Sequence, residues 1–287
     1  MAEDTIERTE TRRESTGTGQ ELFLSLLWLA TTMYVAHGTL KGVAPQGGVL
    51  GAARDAMPDL ILSSLVTGAS LGAVAGSRFR GPAGRLLAGL GMGFGFGLLA
   101  AFAMRMVYGT EQPITILALT VALTTVVGGA FAGLPGEVVD GGLWSMTWVA
   151  FLGVMFPVWL LGLGEDSFLA DTRIQAAIMG VVTLYALQKL RGQRWAWFWY
   201  PLAGALPGLW LLAAEYLTRF GGGSTLAKLV GAQPGTQSLL EPSAEQLRNA
   251  LIVIAVGAVL CLLVGLRSRA RSAREDAEAD ADSDADE

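Results

Sequence analysis

One cysteine, one histidine and three lysines occur in 287 residues. The lone Cys261 permits no intrachain disulfide and no CxxC pair. With His37 as the only imidazole, no zinc cluster can be assembled within one chain either, so neither a metal nor a cofactor is expected. Charge is scarce as well. Charged residues make up 16% of the chain, against about 25% in soluble domains, and they gather at the ends. Residues 1–21 carry six acids with Arg8, Arg12 and Arg13, and the last 13 residues carry eight acids and no base. The net charge of −5 therefore reflects an acidic tail rather than a partner, and no nucleic-acid partner is expected. No cleavable leader precedes the first apolar run, which reads as an anchor that stays.

What remains is oily. The chain is 52% hydrophobic, with a mean hydropathy of +0.47. A bilayer core takes roughly 20 apolar residues as helix, and eight runs approach that length: 22–38, 60–76, 86–104, 114–133, 143–164, 174–187, 195–217 and 247–266. The sixth has only 14 residues and spans only if Arg173 and Lys189 snorkel to opposite interfaces. Losing it would leave seven spans, and a re-entrant piece at Val49–Met57 would make nine. The fold class expected is all-α, a polytopic helical bundle of about eight transmembrane helices. Its domain (22–266) lies between a disordered N-tail (1–21) and a basic-then-acidic disordered C-tail (267–287).

Lys and Arg in short loops set the orientation. With both tails in the cytoplasm, that side holds thirteen basic residues, including Arg78, Arg80, Arg85, Lys189, Arg191 and Arg194, and the other side seven. Both termini are therefore expected to be cytoplasmic, in a cell membrane. The aromatic run "WAWFWYP" (Trp195 to Pro201) suits the headgroup level on the same side. The lipid bilayer is the first partner expected; other membrane proteins or a second copy of the chain come next.

The stretch "GLGMGFGFG" places glycine at alternate positions, Gly89, Gly91, Gly93, Gly95 and Gly97. A phosphate loop would need a strand before it and a helix after it. Apolar helix-forming residues flank it instead. As a helix, Gly89, Gly93 and Gly97 form one small-residue ridge and Gly91 and Gly95 another, on opposite faces. Two ridges predict a third span sandwiched between two others, a central element. An unwound segment lining a cavity is the sharper alternative. "GAVAG" (Gly72–Gly76) and "GAFAG" (Gly129–Gly133) hint at a duplicated hairpin, spans two–three and four–five.

Polar groups inside the spans are hydroxyls: Ser63, Thr67, Ser70, Thr120 and Thr124 form a candidate polar path. Interhelical hydrogen bonding is their plainer role. Charges sit near the outer helix ends. His37, Asp59, Arg105 and Glu215 would form an outward polar bowl if those ends converge, with Arg105 taking an anion and His37 or Asp59 as acid or base. Glu215 paired to Arg105 or Arg219 is the structural alternative. No Ser/His/Asp or paired-carboxylate spacing supports a named reaction. Three functions stay open: a non-enzymatic subunit or scaffold of a membrane complex, a permease for a small neutral or amphipathic solute, and a membrane enzyme or binding protein for a lipid-linked substrate at the outer face.

Overall fold

The computed structural model describes residues 19–37, 48–79, 81–150, 199–223, 225 and 244–285. Among these, every regular element is helical and no strand occurs. Helix α1 covers residues 19–37. It is followed by α2 (Gly48–Gly76), α3 (Pro82–Tyr108) and α4 (Gln112–Ala130), the last extended by a 3₁₀ turn, Phe131–Gly133. Next come α5 (Gly136–Ala150) and α6 (Trp199–Tyr216), which runs into a π-helical turn, Leu217–Gly223. The last is α7 (Ala244–Ala285). Ala56–Gly76, Pro82–Tyr108, Gln112–Gly133 and Leu247–Arg267 are long and apolar enough to cross a membrane. The 174–187 run and residues 151–164 of the fifth run lie outside the described residues.

Local chemistry explains several boundaries. Pro82 and Pro113 sit in the first turns of α3 and α4, where a missing N–H leaves no gap in the helix. Gly109 ends α3: its φ is +96° and its N–H donates to Arg105 O at 3.0 Å. Three boundaries differ from the sequence expectation. The second apolar run begins at Leu60, yet α2 starts at Gly48 and passes through Pro58; the Val49–Met57 piece is the first part of that helix. Helix α5 starts at Gly136, well ahead of Leu143. The segment expected to be a tail without structure continues α7 as helix to Ala285. A helix already nucleated extends without paying for a new first turn, and Ala270, Ala273, Ala277, Ala279 and Ala281 favour extension.

Glycine decides how the first helices meet. On α4, Gly128 lies against Leu65 O and Ala69 N of α2, while Gly129 lies against Gly89 O of α3. A Cβ at Gly93 would stand 2.6 Å from Thr125 O, and one at Gly97 would stand 2.8 Å from Ala122 O. Gly68 of α2 faces that same Thr125 carbonyl from the other side. Helix α4 is thus held backbone to backbone between α2 and α3. This corrects the expectation that the third span is sandwiched. In the most apolar stretch of each helix, 22% of α3 is buried, against 56% of α4 and 72% of α2. The ridge Gly89, Gly93, Gly97 meets α4; Gly91 and Gly95 meet no described atom within 4 Å. The two glycine–alanine words meet each other: a Cβ at Gly72 would stand 2.9 Å from Gly129 O and 3.1 Å from Ala132 Cβ.

A second glycine seam joins α6 and α7. Gly204 and Gly257 face each other's carbonyls, Gly208 lies against Ala250 and Ile254, and Gly265 lies under the Tyr200 ring. Two apolar clusters fill the space between the seams. Trp28, Leu65, Val139, Met146, Leu206, Trp210 and Val253 build one, with Phe131 edge-on to Trp210 at 5.8 Å. Ala36, Met57, Leu60, Ile61, Met104, Leu117, Val121 and Ala214 build the other.

Neighbouring substitutions should therefore diverge. Gly93→Val is expected to lower stability by about 1–3 kcal/mol through overpacking, whereas Gly91→Ala should stay within ~0.5 kcal/mol of wild type. Unfolding in mixed micelles measures both; equal losses would contradict the crossing.

Candidate functional site: the polar end of the bundle and the buried hydroxyls

The second apolar cluster draws together the ends of α1, α3 and α6 and the starting portions of α2 and α4. The helix ends that carry His37, Asp59, Arg105 and Glu215 therefore do gather at one end of the bundle. Two of these side chains have partners other than one another: His37 meets Tyr108 and Glu215 meets Arg219. His37 sets its ring against Tyr108, with centroids 5.5 Å apart, and the Tyr108 hydroxyl donates to Met33 O at 3.0 Å. Arg105 is exposed in the last turn of α3, where a cation suits the helix dipole. Asp59 is exposed on α2. Glu215 is committed to Arg219, one turn on, through an ion pair whose side chains are about nine-tenths buried. Of the two partners considered for Glu215, the structure has Arg219.

Among the described residues, no three or more His, Cys, Asp or Glu side chains are grouped to hold a metal ion. The sequence flagged Glu215 but gave Arg219 no role beyond a pairing. Their four-residue spacing on a helix was the available signal.

The hydroxyls of the candidate polar path are all buried, and each has a protein partner. Thr67 Oγ1 lies 2.8 Å from Ser63 O on its own helix and 3.1 Å from Ser25 O on α1. Ser63, Ser70 and Thr120 donate to carbonyls three or four residues earlier. Thr124 reaches Thr120 O at 2.9 Å and meets Ser64 Oγ of α2 at 2.5 Å. The Ser64–Thr124 contact exists because the α2–α4 glycine crossing brings the two axes close. Ser64, which was not on the candidate path, is therefore the hydroxyl that most directly joins two helices. The sequence-level signal for the α6–α7 seam was the Gly204-x-x-x-Gly208 spacing with Gly257 and Gly265, which is sparser than the run on α3.

No family model, curated protein or solved structure matches the chain.

Two measurements follow. Glu215→Ala leaves the Arg219 guanidinium buried without its counter-charge and is expected to cost about 3–5 kcal/mol; Arg105→Ala should cost less than ~0.5 kcal/mol. A double-mutant cycle on Ser64→Ala and Thr124→Ala should give a coupling of about 0.6 kcal/mol. A coupling near zero would mean the two hydroxyls do not share a proton.

Proposed function

We propose that the chain is an integral membrane protein of eight spans with both termini cytoplasmic, serving as a non-enzymatic subunit or scaffold of a membrane complex. The four apolar helices of spanning length support the membrane setting. The count of eight adds α1, α5, α6 and the 174–187 run on sequence grounds, and the excess of basic residues on one side supports the orientation.

The observation that carries the subunit reading is the open face of α3. Gly91 and Gly95, four residues apart, meet no described atom within 4 Å and stand among exposed Leu87, Phe94, Leu98, Leu99 and Phe102. Toward lipid, a glycine pair forfeits side-chain contact and gains nothing. Toward another helix, it permits the backbone approach that α4 already makes on the opposite side of α3. The same feature engages a helix within the chain at Gly89, Gly93 and Gly97, and a partner helix at Gly91 and Gly95.

The remaining polar groups favour this reading over its rivals. Hydroxyls that end on backbone carbonyls offer a solute no vacant partners, which weakens the permease. The contacts of His37 with Tyr108 and of Glu215 with Arg219 weaken the enzyme reading.

Gly95→Leu should therefore release co-purifying membrane proteins while leaving the unfolding midpoint close to wild type. Native mass spectrometry from gentle detergent, with disulfide trapping of Gly95→Cys in a Cys261→Ser background, reads this directly. A lone monomer from native membranes that does not cross-link at position 95 would overturn the proposal. Cysteines placed at the two termini should both be shielded from an impermeant label in intact cells; labelling of only one would remove the even span count.

A further inference from the structure

The turn between α2 and α3 carries positive charge that no described residue offsets. Arg78, Arg80 and Arg85 fall within eight residues, and no Asp or Glu occurs between Asp59 and Glu111. Among the described residues, neither Arg78 nor Arg85 enters an ion pair. The first turn of α3 has no acid to balance the positive end of its dipole. The turn joins two helices of spanning length, Ala56–Gly76 and Pro82–Tyr108, so it lies where hydrocarbon gives way to headgroups.

Local bonds fix the shape of this turn. The N–H groups of Ser77 and Phe79 donate to Ala73 O at 3.0 Å and Gly76 O at 2.9 Å, and Arg85 Nε donates back to Phe79 O at 3.1 Å. Small residues let the chain fold back closely: a Cβ at Gly76 would stand 3.4 Å from Arg85 Cβ, and one at Gly84 would stand 3.3 Å from Phe79 Cβ. The Arg85 guanidinium is thereby anchored at one corner. Its Nη1 and Nη2 meet no described acceptor and are open to the surface. Arg78 is exposed, and Phe79 beside it is 48% exposed.

We infer that this turn binds the headgroup of an anionic phospholipid: phosphate oxygens accept from Arg78 and the Arg85 Nη groups, and Phe79 lies at the top of the acyl chains. A guanidinium presents paired N–H groups that match a phosphate, and a charge-assisted bond is stronger than one to a neutral acceptor. The ring suits the boundary level. A free phosphate ion would use the arginines and leave the ring idle, so the lipid is the better source. The other basic stretch, Arg267 to Arg274, is followed by eight acids in 13 residues, which offset its attraction for an anionic surface. The inference rests on the membrane setting but not on the subunit role; a lipid could occupy this turn whether or not α3 has a partner.

The test uses the full chain in nanodiscs holding equal parts of phosphatidylglycerol and phosphatidylcholine with the same acyl chains, and native mass spectrometry counts the lipids retained. Wild type should keep phosphatidylglycerol in preference. Arg78→Gln and Arg85→Gln should each lower that preference about fivefold, the effect of one basic residue near an anionic surface. Replacing Arg269, Arg271 and Arg274 together by Gln should leave most of it. Equal retention of the two lipids by wild type would overturn the proposal. So would a preference that survives loss of both Arg78 and Arg85, or one that disappears with the α7 arginines. Displacement of the lipid by excess inorganic phosphate would make the turn an ion site and overturn it as well. If Arg85→Gln fails to fold, Arg78→Gln, which removes an exposed side chain, still decides.

Discussion

The absence of side chains at two adjacent positions of α4, Gly128 and Gly129, is the constraint on which the first half of the bundle depends. Because neighbours on a helix point about 100° apart, one glycine opens a face to α2 and the next opens a face to α3. Between apolar helices in an apolar solvent, hydrophobic burial provides no drive, and close van der Waals contact has to replace it. Two backbones touching along a glycine ridge supply that contact. The hydroxyl pair Ser64–Thr124 and the cluster around Leu60 and Val121 then fit into distances the crossing has already set.

The polar residues follow a similar pattern of local contact. Hydroxyls fold back on their own helices, the buried Glu215–Arg219 ion pair lies within a single turn, and the imidazole rests on a phenol ring. Most of the hydroxyl bonds and the ion pair form within single helices and need no long-range alignment, whereas His37 of α1 reaches across to Tyr108 of α3. Gly91 and Gly95 of α3 meet no described atom within 4 Å.

Composition and run length were enough to read helices of spanning length from the sequence, because a stretch of about 20 residues nearly free of charge matches the thickness of a hydrocarbon core. The spacing of Gly89, Gly93 and Gly97 was equally legible as a packing ridge. Which of the two ridges on α3 would find a neighbour was not, since helical period records faces and says nothing of what stands opposite them. That information lay in Gly128–Gly129, where a doublet replaces the four-residue spacing and is easily passed over. The second apolar run begins only at Leu60. Helix α2 starts earlier and runs through Pro58, burying Met57, Leu60 and Ile61 on either side. In the acidic terminus the described helix runs to Ala285, continuing one already formed, and alanines recur along it. That His37 would meet Tyr108 and Glu215 would meet Arg219 depended on side-chain reach, which spacing alone leaves open.

The 42 residues of α7 form one uninterrupted rod. At 1.5 Å per residue, the 18 residues that follow Arg267, up to Ala285, extend it about 27 Å past the apolar stretch. Its other part is clamped to α6 at Gly204–Gly257, close to the pivot of such a rod. A tilt of about 10° at that clamp, about 42 Å from Ala285, would sweep the acidic tip through roughly 7 Å, by the same rise. A small repacking among the apolar helices is thereby converted into a displacement of negative charge well outside them, the way a pointer magnifies the turn of its spindle.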